Sequence, residues 1–433
     1  MAVKEQIKAC VIGAGSSYTP ELIEGFIETW DEMPVRKLAL MDIDPQRLEI
    51  IGGLAERMIT AAGREIELEL TQDRRRAIAG SQFVISQIRV GGMAARVKDE
   101  KIPPRFGVIG QETTGPGGFA KALRTIPVVL SIAEDIQETA PGAFLVNFTN
   151  PAGLITEALN RYSDVQAVGL CNLPIGAEMR ISQALGVTRR DLQLDWVGLN
   201  HLNWIRGAKA NGEDVWDQVF SQELESARQQ GSDGWNFSAD LLSSLEMIPC
   251  GYLNYYYNHP SILEKQLKAE RTRGEEVQEI ERQLLEMYRD PALKEKPKLL
   301  EKRGGAYYSK AAVSLLSAIA NDKREVHIVN TRNNGAIPDL PDDVVVEVPA
   351  VIGAQGAEPL PVRTMPAEIG GLVQAVKAYE VLTTAAGAEG DHQKALQALL
   401  AHPLTPSFAA AEGLLEALLE AHRDYLPQFF SEA

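Results

Sequence analysis

The stretch Val11-Ile12-Gly13-Ala14-Gly15-Ser16-Ser17 constrains this chain most. An apolar run ends in a glycine turn, and Thr19-Pro20-Glu21 then opens a helical pattern over Pro20 to Trp30. Thr19 has the chemistry of an N-cap, Pro20 suits the first helical position and Glu21 puts an acid in the first turn. A strand that runs straight into a helix commits the chain to strand-helix-strand units and a largely parallel sheet. The first 200 residues repeat that unit. Strands are expected at Lys8 to Gly13, Lys37 to Met41, Phe83 to Gln87, Ala143 to Phe148, Gln166 to Leu170 and Leu192 to Gly198. Further helices are expected at Pro45 to Gly63 and Gly118 to Thr139. The expected fold class is α/β, a Rossmann-type doubly wound, mostly parallel sheet over residues 1–195.

From about Trp196 strands become sparse, and charged helical stretches at Ile262 to Arg289 and Ala306 to Asn321 take over. Residues 196–433 are therefore read as a second, mainly helical α+β domain. Within it, Glu325 to Gly353 returns to strand character as VHIVN and VVVEVPAVI around a turn, which suggests a hairpin or small sheet. From Pro366 onward, apolar residues at helical spacing predict helices packed over the rest. No internal repeat is visible.

Composition narrows the function. The 43 Lys and Arg stand against 59 Asp and Glu, a formal charge of -16, so a nucleic acid or an acidic lipid surface would be repelled overall. Three cysteines cannot build a disulfide framework, and MAVKEQIKACVIG does not read as a secretion signal, so a reducing cytoplasm is expected. No apolar run approaches membrane-spanning length.

Several motifs could carry chemistry. The turn at Gly13, Gly15 and Ser16 would let a pyrophosphate approach the backbone at a helix N-terminus, although Tyr18 stands where a dinucleotide fingerprint has its third glycine. Alone, such a turn is equally an ordinary strand-to-helix connection. Asp42, which follows the second strand 27 residues after Gly15, could accept from both ribose hydroxyls and so favours NAD over NADP. Gln87-Ile88-Arg89-Val90-Gly91-Gly92, Arg96 and Gln111-Glu112-Thr113 lie in a long loop at the carboxyl edge of the sheet. Arginines there could hold an anionic substrate, or the segment is a surface loop. Asn147-Phe148-Thr149-Asn150-Pro151 points into the same crevice, or is a simple turn.

Cys171 and His201 each follow a strand-like run. Their spacing fits no zinc finger, and two protein ligands are too few for a closed structural site. An open site for a borderline divalent ion is chemically reasonable, as is a buried thiol beside a structural imidazole. Tyr252, Tyr255, Tyr256 and Tyr257 read either as packing or as a catalytic phenol beside a cation. Arg273 opens a helix in Thr272-Arg273-Gly274-Glu275, by default with a solvated face.

Taken in order, GAGSSYTPEL, DIDPQRL, IRVGG, GQETTGPGG, NFTNPAG, GLCNLP, GLNHLNW, YLNYYY and TRGEEV resemble glycoside hydrolase family 4 from Gly13 to about Pro403. That family comprises NAD-dependent and metal-dependent glycosidases with a nucleotide domain like those of lactate and malate dehydrogenases. The form Cys171-Asn172-Leu173-Pro174 is similar to that of its 6-phospho-β-glucosidases. The resemblance implies that Cys171 and His201 ligate a divalent metal, commonly Mn2+. It also implies that Arg96, Asn150 and Arg273 contact the sugar phosphate, that Tyr252 is the catalytic base and that Glu112 tunes it. Where the 6-phospho-α relatives carry a general-acid Asp, this chain has Asn172, so a water is the expected proton source. The implied reaction oxidises the sugar at C3 with NAD, removes the C2 proton, eliminates the aglycone, adds water and returns the hydride. The implied substrate is a phosphorylated disaccharide or aryl glucoside, and the implied assembly a homodimer or homotetramer. Two other classes share the nucleotide turn. A dehydrogenase of a small hydroxy acid or polyol would accumulate NADH, and a non-catalytic NAD sensor would have no use for the Cys171, His201 and Tyr252 set.

Overall fold

In the computed structural model, the described residues are 7–230, 236–304 and 307–430. Ala306, the expected start of one helix, and residues 431–433 of the expected C-terminal helices lie outside them, as do residues 1–6.

Six parallel strands form the nucleotide-binding half: β1 (Ile7–Ile12), β2 (Val35–Met41), β3 (Glu67–Thr71), β4 (Phe83–Ser86), β5 (Phe144–Asn147) and β6 (Ala167–Gly169). Their spatial order is β3-β2-β1-β4-β5-β6, the Rossmann arrangement in which the crevice opens where the order reverses, between β1 and β4. The central strands β4 and β5 are buried along their whole length, as expected of a parallel sheet covered on both faces. Sequence reading missed β3, an edge strand whose ELELT alternation is half polar.

Four further strands follow: β7 (Leu192–Leu199), β8 (Leu202–Ala210), β9 (Glu213–Asp214) and β10 (Ile248–Pro249). They make a separate antiparallel sheet. The expectation that 192–198 adds a strand to the parallel sheet is thus corrected. Only Asn200 and His201 separate β7 from β8, and so short a loop permits antiparallel pairing alone, since a parallel return needs a crossover.

The second correction concerns where the halves meet. β11 (Glu325–Arg332) and β12 (Val345–Gly353) form the expected antiparallel hairpin, but it is no small separate sheet. β11 pairs with β6 through Asn330 and Gly169, so β11, β12 and β13 (Gly356–Pro359) extend the main sheet to nine strands. The helix Tyr308–Ala320 likewise returns to pack on the first helix, where Gly25 sits against Val313 and Ser309. Residue 195 therefore marks a change of sequence pattern but no boundary of the sheet.

Helix ends show local adjustments. The first helix runs Thr19–Glu28 with Tyr18 at the N-cap, and the Thr19 hydroxyl donates to the Ala14 carbonyl instead of capping. The expected stretch 262–289 is broken into His259–Lys268 and Arg273–Tyr288. Thr272 caps the second piece in a capping box with Glu275. Among the described residues no helix is long and apolar enough to cross a membrane.

Candidate active site

At the nucleotide turn both glycines have steric reasons. Gly13 has φ +88°, and a Cβ there would come within 2.9 Å of the Gln87 carbonyl; a Cβ on Gly15 would come within 2.8 Å of the Asp42 carboxylate. That closeness is used, because the Gly15 N–H donates to Asp42 Oδ2 at 2.7 Å. The N–H groups of Gly13 and Ala14 both donate to the Met41 carbonyl, and that of Ser16 to Gly13. The expected row of unpaired donors is therefore mostly engaged within the turn. Asp42 holds the turn in shape and still stands at the end of β2, beside Gly15. Arg47 donates to the Gly15 carbonyl and to Glu281 of the helix Arg273–Tyr288, and Ser17 also donates to Glu281. The second half of the chain thus braces the turn.

Cys171 and His201 are brought together. Cys171 is the N-cap of the helix Asn172–Leu185 at the end of β6, and its Sγ lies 3.5 Å from His201 Nε2. His201 adopts φ +62° in the turn between β7 and β8, a strained conformation for a non-glycine residue. Its tautomer follows from its neighbours. The Thr113 hydroxyl gives its proton to Gln111 Oε1 and so accepts from His201 Nδ1 at 3.0 Å, which leaves the Nε2 lone pair facing the thiol. Burial lowers the imidazole pKa to about 3, so the ring is neutral at physiological pH. Burial also pushes the Cys171 thiol up, and Glu347 adds to that, so the sulfur becomes a thiolate only when a cation draws the proton off. Among the described residues no group of three or more His, Cys, Asp or Glu could hold a metal. One thiol and one imidazole fit an ion that completes its shell from substrate and water, and do not fit a closed structural site.

Tyr252 lies against this pair. Its ring stacks on His201 with centroids 3.8 Å apart and planes 7° from parallel. Burial raises its pKa well above the ordinary phenol value; Cys171, Tyr255 and Glu112 add to this, and Arg96 opposes it. Glu112, expected to tune Tyr252, acts against its ionisation through its charge. What Glu112 does is gather cations. It is ion-paired with Arg89, with Arg96 at 3.0 Å and with Lys121 at 2.8 Å. Burial alone would raise its pKa, but Arg89, Lys121 and Arg96 outweigh it and hold the carboxyl well below the usual range. Arg96 is fixed a second time by Glu100, whose other oxygen accepts from the Gly274 N–H.

The remaining expected residues divide. Asn150 is half-buried in the loop after β5, next to Thr149, whose hydroxyl bonds to Ser86 and accepts from the Ile88 N–H. Asn172 opens the helix next to Cys171. Arg273 is not brought in. Its backbone lies near Arg96, but its side chain is half-exposed and turns outward to Glu276 and the Lys302 carbonyl. Arg303, by contrast, is largely buried, donates to Glu281, lies 4.6 Å over the Tyr18 ring and interacts electrostatically with Arg89 and Glu112. Arg303 and Lys121 were missed. Lys121 had a weak signal, a cation that shares the apolar first half of Gly118 to Thr139 with Arg124; Arg303 had none.

Comparisons with known proteins show the family. The sequence profile described as family 4 glycosyl hydrolase matches residues 8–187, and that of the family 4 glycosyl hydrolase C-terminal domain matches 196–405. This chain belongs to glycosyl hydrolase family 4. It is 48% identical to a probable 6-phospho-beta-glucosidase of Bacillus subtilis strain 168, over 98% of each chain. It also resembles the structure of the 6-phospho-beta glucosidase from Thermotoga maritima with manganese, NAD+ and glucose-6-phosphate. There the TM-score is 0.90 and the identity 36%, over 97% of this chain and 99% of that one. A malate dehydrogenase from Aeropyrum pernix shares the fold at TM-score 0.52 and 16% identity, over 87% of this chain and 97% of that one.

Proposed function

We propose that this protein hydrolyses 6-phospho-β-glucosides to glucose 6-phosphate and an aglycone, using NAD and a divalent ion such as Mn2+. The observation that carries the reading is the convergence of Cys171, His201 and Tyr252 beside the Arg89, Arg96, Lys121 and Glu112 cluster. The relatives named 6-phospho-beta-glucosidase support the substrate class.

Gly13, Gly15, Ser16 and Asp42 would seat NAD, which supplies a reversible hydride acceptor for C3 of the sugar. Cys171 and His201 would hold the ion, which supplies Lewis acidity beside the oxidised carbon. The chain's own residues do the rest. Arg96 and Asn150 receive the phosphate, and the local excess of cations over Glu112 overcomes the repulsion of a protein at -16. Tyr252 takes the proton from C2, which is acidic once C3 is a ketone. A buried phenol needs a positive neighbour for that task, and Arg96 is one. Asn172 cannot deliver a proton as an acid would, so the departing aglycone oxygen is protonated by ordered water. The cofactor ends as it began.

The test is hydrolysis of p-nitrophenyl 6-phospho-β-glucoside with and without NAD, Mn2+ and reductant, in D2O. All three additions should be required, deuterium should enter the product at C2, and no net NADH should form. Accumulating NADH would point to a dehydrogenase instead, and equal rates on the unphosphorylated glucoside would remove the phosphate requirement.

A further inference from the structure

Glu347 on β12 is fully buried and has no part in the chemistry above. Three asparagine amides converge on it. Asn200 Nδ2 donates to Oε1 at 3.0 Å, Asn330 Nδ2 to the same oxygen at 3.2 Å, and Asn203 Nδ2 to Oε2 at 2.7 Å. Two of these asparagines flank His201 in its strained turn. The third pairs with Gly169 across β11 and β6 and also donates to the Gly169 carbonyl at 3.5 Å, two residues before Cys171. Asn203 further accepts from the Cys250 N–H at its backbone carbonyl, two residues before Tyr252. One side chain on a hairpin from the second half of the chain therefore reaches both arms of the Cys171 and His201 pair.

We propose that Glu347 is a positioning residue that sets the separation of the Cys171 strand end and the His201 turn. The inference rests on the reading of those two residues as metal ligands. A carboxyl suits the role because it accepts on both oxygens, so three donors can be satisfied at once; burial raises its pKa to about 7, and the asparagine amides act against that rise. Burial makes the arrangement rigid, since any donor left unpaired there would lose water as well as its partner. Outer groups of this kind normally govern metal affinity through the ligands they orient.

The experiment measures Mn2+ binding from the EPR signal of the free ion, in the presence of NAD and glucose 6-phosphate. Glu347→Ala should raise the Mn2+ Kd by about 10- to 100-fold, with NAD affinity unchanged. Glu347→Gln should bind Mn2+ about tenfold more tightly than the alanine variant. Asn203 Oδ1 has no partner, so its amide can turn to accept from the new NH2. Val348→Ala empties a fully buried neighbouring position on β12 without touching the three asparagines, and should lower Tm while leaving the Kd unchanged. Wild-type Mn2+ affinity in Glu347→Ala, or an equal loss in Val348→Ala, would overturn the proposal. If Glu347→Ala does not fold, Asn330→Ala carries the same test, and an unchanged Kd there overturns it. Cys171→Ala separates the two readings: undiminished Mn2+ binding in that variant refutes the metal pair itself, and this inference with it.

Discussion

The rings of Tyr252 and His201 lie face to face, 3.8 Å between centroids and 7° from parallel. A phenol and an imidazole from a short 3-10 turn and a β-hairpin loop thus share one buried surface, with the imidazole Nε2 pointed at Cys171. Removing the phenol oxygen should leave that stack intact. Tyr252→Phe is expected to bind NAD, Mn2+ and glucose 6-phosphate like the wild type while kcat falls by about 10²- to 10⁴-fold, the usual worth of a positioned acid or base. Steady-state kinetics beside binding titrations check this, and a kcat within tenfold of wild type would take the proton transfer away from Tyr252.

Thr113 decides which nitrogen of His201 faces the thiol. Thr113→Val keeps the shape and deletes the acceptor for Nδ1. The Mn2+ concentration giving half-maximal activity should rise by about tenfold or more, with little change in KM for the sugar at saturating metal. A metal titration of initial rates reads this directly.

Glu112 holds three cations in place, the buried Arg96 and Lys121 and the half-buried Arg89. Glu112→Gln should destabilise the fold by about 3 kcal/mol, because Arg89 and Lys121 are left without their counter-charge while Arg96 keeps Glu100. The pH dependence has a definite sign. A carboxyl whose folded pKa lies below its ordinary value of 4.5 stabilises the protein above that value, and the contribution fades as pH falls toward the depressed one. Urea unfolding at a series of pH values should show the carboxylate's part of the gap between wild type and variant closing in acid below its ordinary value.

Gly15→Ala would drive a Cβ into the Asp42 carboxylate and push it off the Gly15 N–H. NAD affinity should fall by about tenfold or more, the equivalent of some 1.4 kcal/mol, while the Mn2+ affinity measured without NAD stays the same. Fluorescence titration with NADH measures the first quantity.

Arg96 and Arg273 are expected to separate. Arg96 is locked beside the site by Glu100 and Glu112, whereas Arg273 turns away to Glu276. Arg96→Gln should raise KM for a 6-phosphoglucoside by about tenfold or more, the scale of a lost charge-assisted bond. Arg273→Ala should change it by less than about threefold, as for an exposed ion pair. Comparable effects from the two variants would show that Arg273 swings inward when the phosphate arrives.

The parts of this protein that were legible in the sequence are those encoded locally. The strand and glycine turn at Val11 to Ser16 and Asp42 at the end of the next strand both depend on neighbours within a few positions. Residue type and spacing therefore suffice to place them. Cys171 was visible as a strand end of the α/β sheet; His201 was visible only as the residue after an apolar run, since its strand lies in the separate antiparallel sheet. The tertiary structure alone decided the rest. It made 192–199 antiparallel, carried the 325–359 strands back into the main sheet, turned Arg273 outward, and set Glu347 among asparagines up to 147 residues away. The one trace of Glu347 in the sequence is an acid inside the apolar run VVVEVPAVI, which marks a buried charge without naming its partners. Partners so distant are chosen by how the hairpin docks and which way side chains point. Both are properties of the packed core rather than of any local stretch of chain.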